Sequence, residues 1–132
     1  MIQRPQTLQA AAAESESYED FGHNLKDFLH AFAEAQRLAA PLDRMLAPEP
    51  PRLAERFPEG TICDAFLAAT ADFLARRSGL ASPAWALKED LALETPWFSP
   101  NFPGVRWLLF RDTPSAFKDK NIFVFESALQ VA

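Results

Sequence analysis

One cysteine, Cys63, stands in 132 residues, which excludes an internal disulfide and any zinc cage built on cysteines. Glycine is scarce too. Gly22, Gly60, Gly79 and Gly104 are isolated, so no glycine-rich loop exists to cradle a phosphate. A single Tyr against abundant Ala and Leu favours helices over a strand-rich fold. No window approaches the roughly 20 apolar residues of a membrane span. The opening Met1-Ile2-Gln3-Arg4-Pro5 lacks the apolar run of a secretory signal. A soluble, cytoplasmic protein with no membrane contact is expected. Basic residues do not predominate either: 13 Lys and Arg face 18 Asp and Glu, a formal charge of −5. That balance argues against broad binding to DNA, RNA or an anionic membrane.

What the chain does contain is apolar and aromatic material, 48% hydrophobic with 12 Phe and 3 Trp, enough for one core. Its 11 prolines punctuate short helices. Residues 1–17 are polar or Ala-rich and are expected to form a flexible arm. Residues 18–132 are expected to form a single helical domain. Within it, 18–46 is an N-terminal helical arm, 47–60 a Pro-rich linker and 61–132 a compact helical core.

In the arm, Ser17 and Asp20 resemble a helix-start box, and Phe21, Leu25, Phe28, Leu29, Phe32, Ala35 and Leu38 recur at helical spacing up to Pro41. This Phe-rich stripe needs a cover. The rest of the chain is the first candidate, and a protein partner or a second copy is the other. In the core, Thr61 is expected to cap a helix that stops at Gly79, with Ile62, Ala65, Phe66, Ala69, Phe73 and Leu74 on one stripe. Ser82-Pro83, Ser99-Pro100 and Thr113-Pro114 read as three cap-plus-proline helix starts. Asn121 suits a left-handed stop, Ile122 to Phe125 is the best strand candidate, and Ser127 to Val131 a last helical turn. The fold class is therefore all-α: a long amphipathic N-terminal helix plus a cluster of short helices, with at most a minor β element near 122–125.

The chemistry-bearing residues do not assemble into a catalytic pattern. Cys63 falls early in a helix, but a nucleophile needs a base and an oxyanion site, and His23 and His30 lie elsewhere with no linking motif. The two histidines are seven residues apart with Asp27 between them, short of a metal-ligand set. Glu89, Asp90 and Glu94 are accounted for by a wet helix face. No catalytic residue, metal site or cofactor is expected. Arg106, Arg111, Lys118 and Lys120, near the aromatic Trp107 and Phe117, form a candidate anion or nucleic-acid patch. Trp85, Trp97 and Trp107 fit core positions beside prolines better than a partner groove.

The order Gly79-Leu80, Pro83-Ala84-Trp85, Pro96-Trp97-Phe98, Thr113-Pro114-Ser115-Ala116-Phe117, Lys118, Lys120, Ile122-Phe123-Val124 resembles a bacterial family of small helical proteins. Members stand alone or form the C-terminal domain of antitoxin-like helix-turn-helix regulators, often encoded beside nucleotidyltransferase-like toxins. The resemblance covers about half of the chain, roughly Asp64 to Val131. It implies a partner-binding or antitoxin-like role without catalysis. No helix-turn-helix is evident in Met1 to Pro58, so DNA binding does not carry over. The expected function is a non-catalytic interaction module, antitoxin-like or an accessory partner of a bacterial enzyme, docking through Phe21, Leu25, Phe28 and Phe32. The alternative is a nucleic-acid-binding regulator that uses the late basic residues.

Overall fold

A computed structural model describes residues 4–129. These residues are mostly helical, with six α-helices and two short parallel strands, as the all-α reading with a minor β element expects. They divide into two compact units, one up to Asp64 and one from Ala65 onward. No helix among the described residues is long and apolar enough to cross a membrane.

The first unit opens with α1 (Leu8–Ala13), which corrects the expectation of a loose arm over residues 1–17. Three local causes make this helix. Thr7 Oγ1 accepts from the Ala10 N–H at 3.0 Å, the alanine run has high helix propensity, and Leu8, Ala11 and Ala12 are buried. At its other end the Arg56 guanidinium donates to the carbonyls of Ala12, Ala13 and Ser15. Helix α2 (Tyr18–Arg37) starts where the sequence puts it, with Ser17 Oγ accepting from the Asp20 N–H at 3.1 Å. Its end is a left-handed cap at Ala39, φ 55°, ahead of Pro41. Helix α3 (Asp43–Leu46) and a 3-10 turn over Leu53–Glu55 complete the unit, burying Met45, Leu46 and Leu53. The proline-rich stretch 47–60 is thus anchored, not a free linker.

Helix α4 (Gly60–Arg77) begins at Gly60, with Glu59 ahead of it, so Thr61 is not the cap. Its Cys63 N–H donates to the Glu59 carbonyl. Glycine is required at that start, because a β-carbon there would meet the Leu53 carbonyl oxygen. In the second unit α4 is buried around most of its circumference. Ala65, Ala68, Ala69, Ala71 and Ala75 keep the helix slim, and a left-handed Gly79 (φ 72°) ends it.

After α4, 3-10 turns over Ala84–Leu87 and Glu89–Leu91 replace the helix expected to start at Ser82-Pro83. Strand β1 (Trp97–Ser99) follows, then a 3-10 turn at Pro103–Val105, α5 (Arg106–Asp112), α6 (Ser115–Lys118) and β2 (Ile122–Val124). A 3-10 turn over Glu126–Leu129 closes the description; residues 130 and 131 of the expected last turn lie outside the described residues. The three Ser/Thr hydroxyls before proline do not cap the next helix. Ser82 Oγ donates to Asp72 and Thr113 Oγ1 donates to the Leu109 carbonyl, while Ser99 belongs to β1. Ala65, Ala69, Phe117, Ile122, Val124 and Leu129 form the core of this unit. Phe117 is fully buried, worth about 2–3 kcal/mol by area, and meets the Phe66 and Phe73 rings edge-on at 5.1 and 6.0 Å.

Candidate functional site

The site grows from the two strands. Asn121 takes φ 66°, its side-chain amide donates to the Leu93 carbonyl at 3.1 Å, and its own carbonyl accepts from the Trp97 N–H at 3.0 Å. These bonds start a parallel register that puts Trp97 opposite Ile122, Phe98 opposite Phe123 and Ser99 opposite Val124. Register brings Phe98 and Phe123 into a stack with centroids 5.0 Å apart. Phe110, from α5, meets both rings edge-on at 5.4 and 4.8 Å. Such offset and edge-on pairs are the favoured aromatic geometries, at roughly 0.5–1.5 kcal/mol each beyond area burial.

Helix α5 is only seven residues long and buries Leu109 alone among them. Its aromatic side chains stay largely in solvent. Trp107 is 60% exposed, Phe110 51% and the preceding Phe102 61%. Two guanidiniums lie on this aromatic group, Arg106 at 4.7 Å from the Phe98 centroid and Arg111 at 5.3 Å from Trp107. Arg106 also donates to Asn101 Oδ1 at 2.9 Å, while Arg111 is held by Asp112 at 2.8 Å. An adjoining cleft of about 450 Å³ is lined by Thr95, Pro96, Trp97, Phe98, Asn101 and Arg106.

The residues expected to dock a partner are elsewhere and inaccessible. Phe21, Leu25, Phe28 and Phe32 are 5%, 7%, 0% and 2% exposed. Packing, including a Phe28–Phe32 ring contact at 6.0 Å, uses the stripe, so it does not offer a free seam. The four late basic residues separate. Arg106, Arg111 and Lys118 are exposed, whereas Lys120 is buried and its ammonium donates to the Lys88 carbonyl at 3.1 Å. Burial lowers the Lys120 pKa in spite of the neighbouring Asp72, Asp119 and Asp90. Trp85 is buried as expected of a core residue and Trp97 half-buried, but Trp107 is not.

Cys63 is fully buried, and burial, then Asp64 and Glu59, push its thiol up to about 12, the wrong direction for a nucleophile. His23, Asp27 and His30 do not converge; among the described residues no group of three His, Cys, Asp or Glu could hold a metal ion. Sequence reasoning missed the exposed aromatic face on α5. Its signal was present as Arg106-Trp107 and Phe110-Arg111 on a segment between Gly104 and Pro114, too short to bury two faces. Comparison with protein-family models, with curated proteins and with solved structures found no match.

Proposed function

We propose that this chain is a non-catalytic interaction module of the cytoplasm, antitoxin-like or an accessory partner of a bacterial enzyme. Its docking surface is the aromatic–arginine face of α5. The observation that carries this is the exposure of Phe102, Trp107 and Phe110 together, with Arg106 and Arg111 stacked on neighbouring rings. Trp and Arg are the residues that dominate binding energy once water is excluded. On a chain of formal charge −5, the Arg106 guanidinium beside an apolar patch suits a partner segment that is apolar with an acidic flank.

The resemblance of the late motifs supports the same class of role and suggests where to look, in the product encoded next to this one. Coexpression with that neighbour should give a stoichiometric complex. Phe102→Ala and Trp107→Ala should each weaken it about tenfold or more, a typical effect at a binding hot spot. Thermal unfolding of the free variants should stay within about 2 °C of the parent, since the side chains removed are mostly solvated. Loss of neither affinity nor stoichiometry in the double variant would refute docking through α5. The nucleic-acid alternative has less support, because Lys120 is bonded internally and Arg111 is neutralised by Asp112.

A further inference from the structure

Arg106 lacks the carboxylate partner that several other arginines of this chain have. Arg37 pairs with Glu34, Arg76 with Asp72 and Asp119, Arg77 with Glu126 and Arg111 with Asp112. Among the described residues no carboxylate reaches Arg106, whose bonded partner is the neutral Asn101 Oδ1. A guanidinium carries five N–H donors in one plane, so most of the fork is unspent. The same bond turns the Asn101 amide so that its NH2 is also a donor with no acceptor among the described residues. The Phe98 ring lies against the guanidinium, its centroid 4.7 Å from Cζ.

These donors open onto the cleft walled by Pro96, Trp97 and Phe98. Its volume of about 450 Å³ lies within the range of small-molecule sites, a few hundred to about 1,000 Å³. A carboxylate matches a guanidinium with two parallel hydrogen bonds, as a phosphate also does, but walls of Pro96, Trp97 and Phe98 suit a singly charged acid with an apolar body better than a small, strongly hydrated phosphate. The apolar walls ask for a flat apolar body attached to that carboxylate.

We propose that the cleft binds a small aromatic or unsaturated organic acid, its carboxylate held by Arg106 and Asn101 and its body lying on Trp97 and Pro96. Benzoate is the probe, followed through the Trp97 indole N–H signal in a heteronuclear NMR titration of the full chain, with Trp97→Phe to assign the signal. Saturable benzoate binding at least tenfold tighter than benzamide is expected, lost by tenfold or more in Arg106→Gln and weakened three- to tenfold in Asn101→Ala. A short peptide ending in a free Phe carboxylate that outcompetes benzoate, while its amidated form does not, would support the same chemistry and place its source in a protein terminus.

Equal binding of benzamide, an unchanged affinity in Arg106→Gln, or inorganic phosphate binding more tightly than benzoate would each overturn the proposal. Both substituted side chains are exposed, and an unshifted melting curve verifies that each variant is folded. The titration contains no partner protein, so its failure leaves docking through Phe102 and Trp107 untouched.

Discussion

A β-carbon on Gly60 would lie 1.8 Å from the carbonyl oxygen of Leu53, inside any tolerable contact. One turn further along α4, the Asp64 carboxylate accepts from the Leu53 N–H at 2.7 Å and the Ala54 N–H at 3.0 Å. Together they dock the 3-10 turn at Leu53–Glu55 onto the start of α4, the glycine by leaving room and the aspartate by bonding both free donors.

The first prediction follows from this geometry. Gly60→Ala must push backbone against backbone and should destabilise by about 3 kcal/mol or more. Asp64→Asn turns one acceptor into a donor facing an N–H and should cost about 2 kcal/mol. Urea unfolding measures both, and a loss under about 1 kcal/mol in Gly60→Ala would show that the turn is not held against the helix.

Helices α2 and α4 end in the same way with different residues. The N–H of Ala40 bonds the Ala35 carbonyl at 2.9 Å and the N–H of Leu80 bonds the Ala75 carbonyl at 2.8 Å, around a left-handed residue that is Ala39 in one and Gly79 in the other. The left-handed conformation costs a residue with a β-carbon roughly 1 kcal/mol. Ala39→Gly should therefore stabilise by about 0.5–1 kcal/mol. Gly79→Ala should destabilise by about 1 kcal/mol, with no steric part, since nothing lies within 4 Å of a β-carbon there. Opposite signs in thermal melts are the test.

Residues whose structure depends on near neighbours were legible in the sequence. The α2 stripe, the Ser17 cap, the Gly79 stop and the left-handed Asn121 all follow from spacing and side-chain chemistry within a few positions. Strand β1 was not legible, because Trp97–Ser99 becomes a strand only by pairing with Ile122–Val124, and three residues carry no period of their own. Thr61 failed as a cap because α4 already begins at Gly60, a position that only the distant Leu53 carbonyl marks as needing glycine. The candidate site failed for a related reason. Hydrophobic stripes at α2 and α5 look alike in sequence, yet Phe28 is fully buried and Trp107 is 60% exposed. What separates them is helix length and the packing available, which no local pattern encodes.

Arg76 grips two aspartates unequally. Its guanidinium makes a two-pronged contact with Asp72, at 3.0 and 2.8 Å, and a single one with Asp119 at 3.2 Å. The Asp72 side chain is 3% exposed and that of Asp119 is 58%. Among the described residues, removing the guanidinium leaves the buried carboxylate with the Ser82 hydroxyl as its hydrogen-bond partner and Lys120 as a neighbouring charge, so Arg76→Ala should cost about 2 kcal/mol after allowing for the half-exposed arginine. Asp119→Ala should cost less than about 1 kcal/mol. Denaturant titrations that rank the two the other way would show that the buried carboxylate has found another partner.

Cys63 gives the pH prediction. Its ordinary value of 9.0 is raised to about 12, so the folded thiol holds its proton where the unfolded thiol has lost it. Stability from this group is therefore complete below about pH 9 and is lost as pH rises toward 12, at no more than about 1.4 kcal/mol per pH unit. Tyr18 is raised as well, chiefly by burial and then by Cys63 and Glu59, so its ionisation also weighs against the fold at high pH. The thiol is isolated by comparison with Cys63→Ala. Between pH 8.5 and 10.5 in a reducing buffer, the parent should lose stability more steeply than the variant. Iodoacetamide should modify the native thiol only at the rate at which the fold opens, and rapid alkylation at pH 8 would mean that the helix does not bury Cys63.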